Sequence, residues 1–368
     1  MNYIGPKVHI DLTQLVKNYH LLSDEVGNIP IMATVKANGY GHGAVQVSKA
    51  LEKEGVRYLA VFTIEEGIEL REAGIQSDIY IYSKLNPYGL DKVAEHKLTL
   101  NISSFEDLEI LKAYNFQGNT LKVHLKIDTG MTRLGVPHNR AEDFLKQAQD
   151  IDCIKIEGLY SHFATADEGD LTYAQSQLDK FNEVLVIAEK LDIKPPLIHC
   201  SNSGAILNLP ESRFNLMRTG MLLYGGFPSD EVSQDLPIKP VMTFTAPVVE
   251  VRDVKAGTHI SYGGVYTTKE DTRIAVVQAG FADGVPRPWY IDGFVKFKDQ
   301  NLKITGRVCM DQLMIDIGST DIQYGDEVLI FGSNEHGTIL VNEIAKTIDS
   351  TSYVLVTAIG IRPRRIYS

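Results

Sequence analysis

The 368-residue chain reads as an α/β protein: an N-terminal (β/α)8 TIM-type barrel followed by a C-terminal mostly-β domain. Three observations predict this. Through the first two-thirds, eight short apolar runs alternate with longer amphipathic segments, which is the count of that barrel, a doubly wound sheet being the alternative. After about Gly226 the alternation stops, Pro228, Pro237 and Pro240 intervene, and strand patterns follow one another. Lys36, Lys126, Asp128, Arg133, His162, Ser203 and Arg218 fall at or just after the C-terminal ends of predicted strands. A closed barrel gathers such residues at one mouth, whereas an open sheet scatters them along an edge.

The predicted barrel strands are Ile31 to Val35, Arg57 to Val61, Asp78 to Tyr82, Leu98 to Asn101, Leu121 to Ile127, Ile154 to Tyr160, Leu197 to Cys200 and Phe214 to Met217. Helical patterns between them cover Ala44 to Glu54, Glu65 to Ala73, Ser104 to Tyr114, Ala141 to Gln149 and Leu171 to Leu191. Beyond them, strands are expected at Thr243 to Val251, Thr258 to Tyr262, Arg273 to Ala279, Leu302 to Val308, Leu313 to Ile317 and Glu327 to Phe331, with one short helix near Val341 to Ile348. The domains are therefore set at residues 8–230 and 231–368.

Hydrophobic content of 44% and charged content of 23% describe an ordinary globular protein, and the length suits two domains. A net charge of -11 argues against nucleic acid or an anionic membrane as partner. Residues 1–7 lack the apolar core of a secretory signal, and no stretch approaches a membrane span. Cys153, Cys200 and Cys309 are scattered without C-x-x-C spacing, so neither a disulfide framework nor a metal site is indicated. The expected compartment is the cytoplasm.

The stretch Thr34-Val35-Lys36-Ala37-Asn38-Gly39-Tyr40-Gly41-His42-Gly43 places a lysine where a buried strand gives way to a glycine-rich turn. Desolvation there lowers an amine's pKa and makes it nucleophilic, so Lys36 is a candidate for a Schiff base. The glycines let the backbone turn and approach a ligand, and Tyr40 offers a hydroxyl. In Lys126-Ile127-Asp128-Thr129-Gly130-Met131-Thr132-Arg133, the arginine either donates to a phenolic or carboxylate oxygen or pairs with Asp128. His162, in Ser161-His162-Phe163, is either a structural histidine or a member of the barrel mouth. Ser203, after His199-Cys200-Ser201-Asn202, reads as a helix cap or an anion contact. With Arg218-Thr219-Gly220-Met221 it lies in the two last loops of the barrel, where this fold binds phosphate. Tyr262, before Gly263 and Gly264, is an aromatic anchor of a β turn or a reactive phenol.

The ten-residue string around Lys36 resembles the pyridoxal-phosphate attachment motif of alanine racemases, and the resemblance extends from about Val8 to Tyr367. It implies that Lys36 carries pyridoxal 5'-phosphate as an internal aldimine, with Ser203, Gly220, Met221, Tyr40 and Tyr353 at the phosphate and Arg218 at the ring nitrogen. An arginine there would leave that nitrogen unprotonated and the cofactor a muted electron sink, which suits racemisation more than decarboxylation. By the same resemblance Arg133 and Met310 meet the substrate carboxylate, Lys126 is a site of carbamylation that orients Arg133, and His162 links Arg218 to the catalytic Tyr262. Lys36 and Tyr262 would be the two bases on opposite faces. Tyr262 would come from the second subunit of a homodimer with shared active sites, and the small amino-acid substrate would be alanine, supplying D-alanine for peptidoglycan. Two positions depart from the family pattern: Thr132 stands where glycine is commoner, and Phe281 replaces a tyrosine of the substrate access path. A serine or broad-specificity racemase, a decarboxylase of the same fold and a non-catalytic carrier are the alternatives.

Overall fold

The computed structural model describes residues 5–114, 118 and 120–368; residues 1–4, within the stretch read for a secretory signal, lie outside the described residues. The chain divides into two compact units. Val16–Gly39 and Ala44–Ile238 make the first, and the chain up to Leu15, Tyr40–Gly43 and Lys239–Ser368 make the second.

The first unit is a nearly closed parallel barrel. Its strands are Ile31–Thr34, Tyr58–Val61, Asp78–Ile81, Leu98–Ile102, Leu121–Asp128, Ile154–Tyr160, Leu197–His199 and Met217–Thr219, and the first seven pair each with the next in chain order. The last returns to pair with the first, Arg218 opposite Met32. No reversal of strand order occurs, which excludes the doubly wound sheet. At the seam between the last two strands, single backbone bonds stand in for a ladder: Asn215 N to Ile198 O and Arg218 N to Ser201 O, both 3.3 Å. Inside, Met32, Ala60, Tyr80 and Tyr160 from four strands pack with Leu216, just before the eighth, as one buried cluster, the layered filling this fold requires.

The eighth strand begins three residues later than its apolar pattern suggests. Asn215 takes up the edge instead, its Oδ1 accepting from Ile198 N at 2.6 Å and its Nδ2 donating to Pro196 O at 2.9 Å. Arg218 therefore lies within the strand and points into a packed interior.

The second unit is built on Met242–Val254, a 13-residue strand. It pairs antiparallel with Lys7–Ile10, Thr272–Val277 and Glu327–Asn334. Phe244 and Phe331 meet edge to face at 5.5 Å in its core. The expected first domain starts at residue 8, but Lys7–Ile10 belongs to this sheet, with Arg364–Tyr367 parallel on its other side. Tyr40–Gly43 also groups here, and the close approach that its glycines permit is to protein. A Cβ on Gly41 would lie 2.1 Å from Val356 O, and one on Gly43 would lie 2.0 Å from the Tyr367 hydroxyl. Arg365 Nε donates to Gly41 O at 2.8 Å.

Two expected strands of this unit are shorter than predicted. The run from Thr258 ends at Ile260 because Ser261 turns to φ +63°, and Tyr262 opens a short 3-10 turn. The run from Leu302 ends near Ile304, and Gly306, at φ +78°, bends the chain where a side chain would collide with Ser261. Among the described residues no helix is long and apolar enough to cross a membrane.

Candidate active site

Lys36 follows the first barrel strand and is half-buried, its Nζ 5.7 Å from the centre of the Tyr82 ring. Burial, and then the nearby charge of Arg133, push its amine below the usual lysine range, with Glu66 opposing. Lys126, at the end of the fifth strand, is 95% buried, and its Nζ lies 5.4 Å from the Tyr160 ring. Burial followed by Arg133 and Arg218 lowers its pKa to about 7. Two amines, one after the first barrel strand and one near the end of the fifth, are thus made more neutral by one cause: too much positive charge in too little water.

Arg218 sits 97% buried in the barrel wall. Its Nη1 meets His199 Nδ1 at 2.6 Å, and its Nη2 meets His162 Nδ1 at 3.1 Å, Ser161 O at 2.8 Å and Cys200 O at 3.0 Å. A guanidinium only donates, so both Nδ1 atoms are acceptors and both rings carry their proton on Nε2. His199 Nε2 then donates to His124 Nδ1 at 2.9 Å. Tyr160 stacks on His199 at 4.7 Å and Tyr80 on His124 at 4.6 Å, which fixes both planes. Burial, reinforced by Arg218, drives all three histidines well below their ordinary pKa, His124 to about 3. Arg218 is therefore a fixed cation among neutral imidazoles.

Arg133 is exposed and makes no ion pair with Asp128, which answers the structural alternative for this motif. Asp128 Oδ1 instead accepts from Gly130 N and Thr132 N, each at 3.0 Å. Thr132 is held at φ +53° by that bond, a conformation for which glycine is better suited. The Ser203 hydroxyl lies 3.3 Å from Thr219 Oγ1 and 3.4 Å from Gly220 N, so the last two barrel loops present hydroxyl and amide groups together. Asn202, not Ser203, caps the helix Ser203–Asn208, its Oδ1 accepting from Ala205 N. Met221 is buried and its carbonyl closes a turn with Tyr224 N and Gly226 N.

In the second unit, Tyr40 and Tyr353 meet with ring centres 5.9 Å apart. Tyr262 is 67% exposed and Met310 is 55% exposed. Ser261 Oγ donates to Arg307 O at 2.7 Å and lies 3.6 Å from Cys309 Sγ, so the segments bearing Tyr262 and Met310 are tied together. Phe281 stands on a third segment, its amide donating to Cys309 O at 3.0 Å. Gly280 is required there, because a Cβ would fall 2.2 Å from Met310 O.

The barrel therefore brings Lys36, Lys126, Arg133, His162, Arg218, Ser203 and Gly220 to the C-terminal ends of its strands and the loops that follow them, and the β unit holds Tyr40 with Tyr353, and ties the segments of Tyr262 and Met310. In the sequence His199 and Thr219 stand only as members of motifs and Tyr82 only as the end of a predicted strand, none of them with a role. Their signal was position, since all three end or follow barrel strands. The donor set suits a phosphorylated aldehyde and an amino acid: an amine of lowered pKa, a buried guanidinium, and hydroxyl and amide donors at the last two loops. Among the described residues no group of three His, Cys, Asp or Glu side chains is placed to hold a metal ion.

The family models for the alanine racemase N-terminal and C-terminal domains match residues 10–228 and 241–367. The chain is 39% identical over 361 residues to the alanine racemase of Halothermothrix orenii, covering 97% of this chain and 95% of the relative. It is 37% identical over 365 residues to alanine racemase 1 of Caldanaerobacter subterraneus subsp. tengcongensis, with 98% and 94% covered. Among solved structures, alanine racemase of Clostridium difficile 630 superposes with a TM-score of 0.93 at 35% identity, covering 100% of this chain and 97% of that one. The Bacillus anthracis alanine racemase with bound L-Ala-P gives 0.93 at 32% identity, covering 100% and 96%.

Proposed function

We propose, from the premise that this chain belongs to the alanine racemase family and is an isomerase of that family, that it interconverts L-alanine and D-alanine with pyridoxal 5'-phosphate held on Lys36. When bound, the cofactor supplies the electron withdrawal that acidifies the α-proton of an amino acid. The chain's own residues do the rest. The Lys36 amine, with its lowered pKa, is both the point of attachment and the base on one face. The phenol oxygen of Tyr262, contributed by a second copy of the chain, serves the other face, so that a proton is removed from one side and returned on the opposite one.

Ser203, the amides of Gly220 and Met221, and the pair Tyr40 and Tyr353 hold the phosphate. Arg218 faces the ring nitrogen as a donor that does not surrender its proton, which restrains side reactions. Arg133 and the Met310 amide receive the substrate carboxylate. Lys126, whose neutral amine is available to carbon dioxide, becomes a carbamate that orients Arg133. The assembly is a homodimer with shared sites, located in the cytoplasm, and its product serves peptidoglycan.

The observation that carries this reading is the guanidinium of Arg218 fixed by four neutral acceptor groups in a barrel whose loops also bear the low-pKa amine. A decarboxylase needs an acid in place of that arginine. The direct test incubates purified protein with L-alanine, with and without added pyridoxal phosphate, and follows D-alanine. Absence of D-alanine at saturating cofactor overturns the reading. Faster turnover of L-serine than L-alanine moves the assignment to a serine or broad-specificity racemase.

A further inference from the structure

Three residues after Lys36 adopt a conformation that a chain of L-residues avoids. Ala37, Asn38 and Gly39 have φ/ψ of 52°/50°, 53°/47° and 61°/44°, one turn of left-handed helix. Each residue with a Cβ is disfavoured there, and alanine has no polar side chain with which to compensate. Such a turn persists only when its surroundings dictate it. Gly39 N donates to Val35 O at 2.8 Å, and Ala44 N donates to Asn38 Oδ1 at 3.0 Å. The bond nearest Lys36 is different in kind, because its acceptor belongs to another element: Ala37 N donates to Glu66 Oε1 at 2.7 Å.

Glu66 lies in the first turn of the helix Ile64–Glu72, where it completes a capping box with Thr63. Its Oε2 does all of that capping, accepting from Phe62 N at 2.7 Å and Thr63 N at 3.2 Å. Its Oε1 is left for Ala37. A capping box is satisfied by glutamine as well as glutamate, so the helix needs only one of the two oxygens. The second oxygen serves the loop that carries the amine.

We propose that Glu66 is a positioning residue for Lys36, one carboxylate oxygen closing its own helix cap while the other pins the left-handed turn that aims the amine. The charge acts in the same place. Lys36 shares its surroundings with Arg133, Lys126, Arg218, the neutral His162 and the Tyr82 ring; Glu66 is the carboxylate that opposes them at Lys36, as Asp128 does at Lys126.

Glu66→Gln separates the two roles, because glutamine keeps an oxygen for the cap and turns an amide nitrogen toward the Ala37 N–H, where donor meets donor. The full chain without cofactor is labelled with acetic anhydride across a pH series, and acetylation of Lys36 is read by mass spectrometry. The variant is expected to melt as the wild type does, while the midpoint for Lys36 labelling falls by roughly half a pH unit or more and exchange of the Ala37 amide quickens. The accompanying loss of kcat, about tenfold, rests on the function proposed above, but labelling and exchange do not, so an inactive wild type leaves the inference testable. Glu66→Asp, which keeps both oxygens and the charge on a shorter arm, is expected to retain the labelling midpoint more closely than Glu66→Gln. Wild-type labelling and exchange in Glu66→Gln would show that Glu66 caps its helix and does nothing more.

Discussion

Arg218 donates from Nη1 to Nδ1 of His199 at 2.6 Å, and His199 passes a hydrogen bond on to His124 at 2.9 Å. The direction of this chain is set at its first member, since a guanidinium has no lone pair to offer. Replacing His199 with Ala removes an acceptor from a buried cation and leaves a cavity under Tyr160. The expected loss is about 2–4 kcal/mol in urea unfolding. A loss below about 0.5 kcal/mol would mean that His162 and the carbonyls of Ser161 and Cys200 hold Arg218 without His199.

Lys36→Ala is expected to lose racemase activity and the visible absorbance of added pyridoxal phosphate together, because the same amine is proposed for both. A variant that stays coloured after dialysis and remains active would move the attachment to another lysine.

For Tyr262→Ala the expected result is a large fall in kcat, on the order of 10²-fold or more, with the cofactor spectrum retained. Mixing it with Lys36→Ala under conditions of subunit exchange is expected to restore part of the activity, because one site of each hybrid dimer is intact. Native mass spectrometry establishes the hybrid. No recovery in its presence counts against a shared site.

Lys126 titrates at about 7 in the folded chain, against 10.5 as an ordinary lysine. Between these values the unfolded chain binds the extra proton, so this residue makes stability rise with pH from about 7 upward and penalises the fold most below 7. Lys126→Met lacks the penalty. Its stability advantage over the wild type is expected to shrink as pH rises from 7 to 9 in buffer free of carbon dioxide, measured by chemical unfolding. Added bicarbonate is expected to raise the wild-type mass at the Lys126 peptide by one carbon dioxide.

Gly41 has φ +80°, and a Cβ there would stand 2.1 Å from Val356 O. Gly41→Ala is expected to cost roughly 2–4 kcal/mol through strain and overlap together, lowering the melting temperature. A melting temperature within a degree of wild type would show that the turn has room to shift.

Sequence by itself determined the barrel and which polar side chains stand at the ends of its strands. Alternating apolar runs with helical patterns from Ile31 to Thr219 report burial that each segment experiences locally, and a residue at the end of such a run, like Lys36 or Arg218, is placed by the same signal. Tertiary structure alone decided which distant segments share an edge. Lys7–Ile10 is four residues long, too short for a period, and its membership of the second unit follows from pairing with a strand more than 230 residues away. Protonation was likewise settled in three dimensions: the tautomers of His162 and His199 depend on Arg218 arriving at their Nδ1 atoms, and the low pKa of Lys126 depends on two arginines crowding a buried amine. Periodicity is a property of neighbours in the chain, whereas hydrogen-bond direction and desolvation are properties of neighbours in space.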